Sequence, residues 1–173
     1  KNVCYYLWEL FQKQLMIKLD NKIFKKAILA GIFSAFTIGV LTVLTYKSAM
    51  GLFLAGSFGS SMVLLFGFPE SPFAQPKNVF FGHLVTALSG VIFVQFIPLP
   101  IFISIALAVG VGIFFMIILD VVHPPAGGNP IIVIIGSVSY DYLIFPIISG
   151  CLIIIIIAII VNKFILKKNY PLK

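Results

Sequence analysis

Residues 119–130 read "LDVVHPPAGGNP": an acid, a histidine, three prolines and two glycines at the end of an apolar run. Proline fixes φ and removes a backbone donor, so Pro124, Pro125 and Pro130 interrupt any helix that reaches them. The residue before a proline is pushed out of the helical region, which makes His123 and Asn129 extended. The stretch is either a loop that turns the chain in water or a deliberately broken helix that builds a site inside a membrane. The surroundings decide which solvent is at issue.

The chain has 173 residues, is 61% hydrophobic and 10% charged, and has a mean hydropathy of +1.16. A soluble domain carries about 25% charged residues; this sequence has too little polar surface to cover a globule in water. Runs such as Cys151–Val161 lack the alternation of a barrel strand, so apolar helices of roughly 20 residues are expected instead. The fold class is an all-α, polytopic transmembrane helix bundle.

All twelve basic residues are lysines, gathered mainly at the two ends, giving a net charge of +7. That placement suits orientation in a bilayer rather than nucleic-acid binding, which wants a folded basic face. Cys4 and Cys151 form neither a disulfide framework nor metal-ligand spacing. The first apolar run is too long for a removable signal and is followed by no A-x-A-like site.

Three regions follow: an amphipathic interfacial segment over 1–22, a membrane domain over 23–166 and a basic tail over 167–173. In the first, Leu7, Trp8, Phe11, Leu15 and Leu19 have helical spacing, and Asp20 or Asn21 suits a helix cap. Spans are expected at about Ile23–Tyr46, Ala49–Phe68, Asn78–Ile97, Ile101–Val122 and Leu143–Ile165. A sixth apolar piece, Ala126–Ser139, is about 21 Å long as a helix, short of the roughly 30 Å hydrocarbon core, and either crosses or re-enters. With six crossings eleven lysines fall on the side of the termini and only Lys47 on the other. With five, the split is seven against five, so six crossings with cytoplasmic termini is the preferred topology.

Two windows, from Leu54 and from Leu107, share Leu-Ala, a glycine (Gly59, Gly112) and an ending of Ser71-Pro72-Phe73-Ala74 against His123-Pro124-Pro125-Ala126. As copies, they make a parallel repeat in which each unit is two helices joined by a proline break.

The candidate site gathers the two breaks. Free N–H groups at a helix start suit an anion, and both Ala74–Asn78 and Ala126–Asn129 open apolar segments. The candidate substrate-binding residues are His123, Pro124, Pro125, Ala126, Gly127, Ser71, Gln75, Asn78 and His83. His83 is included because an ionisable group inside a span points to function. Asp120 lies three residues before His123 and can pair with it as a proton or charge relay; Lys77 is the second relay candidate, and Glu70 can partner Lys77 or His123. Ser57 and Ser60, in the "GSFGSS" of 56–61, line a pore or pack helices closely. No HExxH, GxSxG, P-loop or paired-carboxylate pattern occurs; no enzyme, metal or cofactor is expected.

The ordered motifs GSFG, SPFAQPKN with His83 five residues on, and HPPAGG resemble the HPP family of integral membrane proteins, over about Gly31 to Phe164. The resemblance implies a small bacterial-type membrane protein with relatives associated with nitrite transport, and commonly four spans. It also gives less weight to Gly128 and Asn129 than to the residues before them. The expected function is an inner-membrane transporter or channel for a small monovalent anion, nitrite or nitrate first, acting as a homo-oligomer. The alternative is a non-transporting sensor, ligand-binding or scaffold module that uses the HPP face.

Overall fold

The computed structural model describes residues 3–15, 21–49 and 51–172, with side chains of 10–15 left aside. Helix α1 is Val3–Leu15, and its residues 3–9 are exposed. Of its expected apolar stripe, Leu7 and Trp8 are exposed, while Leu19 and the side chains of Phe11 and Leu15 lie outside the described residues, as do the proposed cap Asp20 and the tail's Lys173.

Among the described residues four helical stretches are long and apolar enough to cross a membrane: α2 (Asn21–Lys47), α4 (Pro76–Phe96), α5 (Ile101–Ile118) and the stretch Leu143–Ile165, whose central part is α7 (Ser149–Ile159). Two shorter apolar helices accompany them. One is α3 (Phe58–Met62) continued by a π turn to Gly67; the other is a 3-10 turn, Pro124–Gly128, continued by α6 (Asn129–Ile135). Ile117 and Ile118 are 62% and 63% exposed and Phe102 71%, which only an apolar solvent makes acceptable for a contiguous surface. The chain is a helical membrane bundle.

Contacts order these segments between two faces. At one face Lys26 meets Glu70 (3.8 Å), Lys77 meets Asp120 (3.2 Å), and the Tyr170 hydroxyl donates to the Ala74 carbonyl (2.9 Å). At the other, Phe96 packs on Tyr140 and a cavity brings Gly51 beside Ser139 and Tyr142. Six segments therefore run face to face, and the chain leaves on the face where α2 begins. The segment 51–67 crosses although only its last ten residues are helical. Those rise about 15 Å, and the preceding residues add up to about 3.3 Å each. The expected helix over Ala49–Phe68 is thus corrected to a half-helix. Thr45 Oγ1 explains the difference by accepting the N–H groups of Phe53 and Leu54 (3.0 and 3.2 Å), which a helix would have used internally.

The other short segment also crosses. Asp120 lies level with Lys77, the Val122 carbonyl accepts from Asn78 (3.0 Å), Pro130 lies against Gly90, and Ile134 packs with Phe93 near the far end of α4. Helix α5 ends at Ile118, four residues before the expected Val122. Asp120 takes a left-handed φ of 53°, and Val121 N–H bonds back to the Met116 carbonyl (2.9 Å). That is a Schellman closure with aspartate in the position glycine usually fills.

The expected parallel repeat does not appear. The segment before the first break is a half-helix and the one before the second is a full-length helix, so the two windows fold differently. The chain instead repeats as long, short, long: α2, 51–67 and α4, then α5, 120–138 and the last stretch. The first triplet starts on one face and the second on the other, so the halves are inverted in topology, an arrangement of many transporters.

Glycines seat the irregular segments. A Cβ on Gly82 would lie 2.8 Å from the Cβ of His123 and 2.9 Å from the Val121 carbonyl, and one on Gly90 would lie 2.9 Å from Pro130 Cα. In the other half, a Cβ on Gly150 would strike the Phe58 ring and the Phe53 carbonyl. Asn162, fully buried on the last stretch, donates to the Leu65 carbonyl (2.9 Å), a group that lies in the π turn.

Candidate functional site: a buried two-histidine hydrogen-bond chain

The two half-helices and α4 bring six polar side chains together. Ser61, His83, Thr86, His123 and Asn129 have no solvent exposure, and Ser57 has 6%. The imidazoles of His83 and His123 are 5.0 Å apart between ring centres, and Phe58 packs edge-on against His83 at 5.1 Å.

With both rings neutral, donors and acceptors fall into one order along the chain. The Phe73 carbonyl only accepts, so His123 Nδ1 carries a proton and donates to it (2.7 Å). In the neutral ring Nε2 then accepts from the Ser61 hydroxyl (2.9 Å). Ser61 has spent its proton, so its oxygen accepts from His83 Nε2 (3.0 Å). His83 Nδ1 is thereby left to accept from the Asn129 amide (3.0 Å). Asn129 Oδ1 accepts from the Ser57 hydroxyl (2.6 Å), and its second amide proton is shared by Thr86 Oγ1 (3.0 Å) and the His83 carbonyl (3.1 Å). Thr86 donates to the Gly82 carbonyl (2.8 Å). With both rings neutral, the chain Ser57–Asn129–His83–Ser61–His123–Phe73 is continuous. Leaving any member unpaired in such a core costs about 1–3 kcal/mol.

The sequence-derived candidates separate into three groups. His83, His123 and Ser57 are in the chain. Ser71, Gln75 and Asn78 build its frame. Ser71 Oγ accepts the Phe73 N–H (3.2 Å), and Gln75 donates to the Pro69 and Ser71 carbonyls, which holds the loop whose carbonyl meets His123. Asn78 holds the Val122 carbonyl, as noted above. Pro124, Pro125, Ala126 and Gly127 form the 3-10 turn between the two site residues His123 and Asn129, with Ala126 fully buried.

The third group lies elsewhere. Asp120 pairs with Lys77 rather than with His123, because the left-handed turn at Asp120 points it to the face, where its side chain is 93% exposed. Glu70 pairs with Lys26, not with Lys77 or His123. Ser60 is exposed and bonds only the Ser57 carbonyl (2.9 Å) among the bonds of its side chain.

Two members of the chain escaped the sequence reading. The family resemblance gives Asn129 less weight, and the GSFGSS stretch points to Ser60 rather than Ser61. Serines four apart share a helix face, so the 57/61 pair was visible in the spacing. Asn129 had no comparable signal, because its role depends on the fold returning it to α4. Among the described residues no group of three or more His, Cys, Asp and Glu side chains gathers as metal ligands would.

An inverted pair of short segments closing on a buried polar core defines a polytopic helical membrane protein. The chain belongs to the HPP family: the description "HPP, transmembrane region" matches residues 20–171. Two proteins of Dictyostelium discoideum, each named as a transmembrane protein, are similar to it. One is 35% identical over 143 residues, covering 77% of this chain and 50% of its own; the other is 36% identical over 142 residues, covering 76% and 46%. The chain thus spans about half the length of these curated relatives. No solved structure matches it.

Proposed function

We propose that the chain is a transporter or channel for a small inorganic monovalent anion, with nitrite or nitrate the leading substrate, in a bacterial-type inner membrane with both ends of the domain cytoplasmic. The observation that carries this reading is the meeting of two half-helix starts, at Ser57 and at His123–Asn129, on a core of N–H and O–H donors. Helix starts carry partial positive charge, and half-helix starts facing anionic groups near the bilayer centre recur in inverted-repeat transporters. Among the described residues no carboxylate enters the core: Glu9, Glu70, Asp120 and Asp141 are exposed. A cation therefore has no counter-charge there, while an anion meets imidazole and hydroxyl donors.

The core is packed, so passage requires Ser61 and Asn129 to part from the histidines of α4 and the HPP segment. Movement of one half against the other supplies such an opening. The pathway is small, which favours a homo-oligomer of complete units.

The sealed core supports one other reading, a sensor or scaffold module in which the HPP face holds a ligand or partner without passage. Purified protein in liposomes loaded with a nitrite-sensitive reporter separates the two. Saturable nitrite entry above empty vesicles supports transport; entry equal to empty vesicles, with folded protein, rejects it.

A further inference from the structure

The face that holds Glu70 carries a cavity of about 540 Å³ between the start of α2 and the end of the last helical stretch. Four lysines line it, Lys22, Lys25, Lys26 and Lys168, against one carboxylate, Glu70. Glu70 pairs with Lys26 at 3.8 Å, and Lys25 and Lys168 bring positive charge to the wall beyond that pair. Burial pushes the Lys168 ammonium below its ordinary value, Glu70 opposes the shift and Lys26 adds to it. An anion in the cavity would relieve both the burial and the repulsion.

The floor of the cavity is apolar and continues downward. Ile165 also lines a second space of about 500 Å³, walled by α2 and the last stretch and wholly apolar, with Ile32, Phe36, Val40, Ile157 and Ile160 among its residues. Phe36 and Val40 in turn border a third, near-apolar space of about 430 Å³. From Lys25 to Val40 the line follows α2 for about 22 Å, close to half of a bilayer with its headgroups, about 40–45 Å in all. A basic chamber at the interface joined to an apolar groove of leaflet length matches a phosphate-bearing head and an acyl chain in shape and in charge.

We infer that the chain holds one anionic phospholipid, with its phosphate among Lys25, Lys26 and Lys168 and an acyl chain in the groove between α2 and the last helical stretch. Basic pockets between spans are a recurrent form of lipid recognition. The site lies away from the histidine chain, and the inference stands whatever that chain conducts.

Native mass spectrometry of the delipidated full chain tests it, with phosphatidylglycerol and phosphatidylcholine of the same acyl chains and water-soluble glycerol phosphate as probes. Retention of phosphatidylglycerol is expected to exceed that of phosphatidylcholine by about tenfold, since each interfacial lysine near an anionic headgroup contributes severalfold. The variant Lys25→Gln/Lys168→Gln loses that preference. Ile160→Trp, which fills the groove without touching a charge, lowers retention of both lipids, and glycerol phosphate fails to displace the bound lipid. Equal retention of the two lipids by the wild-type chain overturns the inference. So does displacement by glycerol phosphate, which marks a site for free phosphate, or an Ile160→Trp variant that loses a dimer peak while lipid retention is unchanged, which marks a groove filled by a second copy.

Discussion

Ser61 bridges the two buried histidines: its hydroxyl oxygen lies 3.0 Å from His83 Nε2 and 2.9 Å from His123 Nε2. One hydroxyl has one proton, so with both rings neutral it stands in a different relation to each. His123 receives that proton and His83 gives one. The asymmetry originates at the Phe73 carbonyl, which holds a proton on His123 Nδ1, and it is transmitted through Ser61 to α4 and on to Asn129.

The tautomers are therefore expected to differ. At neutral pH, nitrogen NMR of the labelled imidazoles should find His123 protonated at Nδ1 and His83 at Nε2. Rings with the same tautomer, or a charged ring at neutral pH, would contradict the bond directions assigned above.

Gly82 is expected to be intolerant of a methyl group and Gly110 indifferent to one. Gly82→Ala pushes a Cβ into His123 and the Val121 carbonyl, whereas nothing lies within 4 Å of the corresponding position at Gly110. Overpacking of this kind costs about 1–3 kcal/mol. Thermal unfolding in detergent should show a lowered midpoint for Gly82→Ala and an unchanged one for Gly110→Ala; equal midpoints would mean that the HPP segment is not seated on α4 as described.

Asp120→Asn should leave anion uptake and its pH profile unchanged. The carboxylate is almost fully exposed and its ion pair with Lys77 lies at the surface, where such pairs contribute little. A change in pH profile would restore Asp120 as a relay to His123 by a route the side-chain contacts do not provide.

The membrane bundle was legible in the sequence because apolar length is a strong signal: α2 and the last stretch fall within two residues of their expected bounds. The break at Pro124 and Pro125 was legible too, with His123 extended before it. Pro130 instead sits in the first turn of α6, where a missing N–H costs nothing, and Asn129 before it is helical rather than extended. The direction of the repeat was not. The resemblance between the Leu54 and Leu107 windows is one of apolar composition, whereas the inversion lies in the order of long and short segments, and the shortness of 51–67 comes from Thr45 capturing two N–H groups from another segment. The site was half legible. Histidine and proline announce themselves inside apolar runs, but Ser61 and Asn129 are ordinary residues made central by where α4 places His83.

The central claim, that the chain through Ser61 is the transport site, is tested most directly by two neighbouring serines. Nitrite entry into proteoliposomes should be compared for Ser61→Ala and Ser60→Ala, each with helicity and melting confirmed. Ser61→Ala is predicted to lose most of the wild-type uptake while remaining folded, and Ser60→Ala to keep it. Wild-type uptake by a folded Ser61→Ala protein would contradict the account.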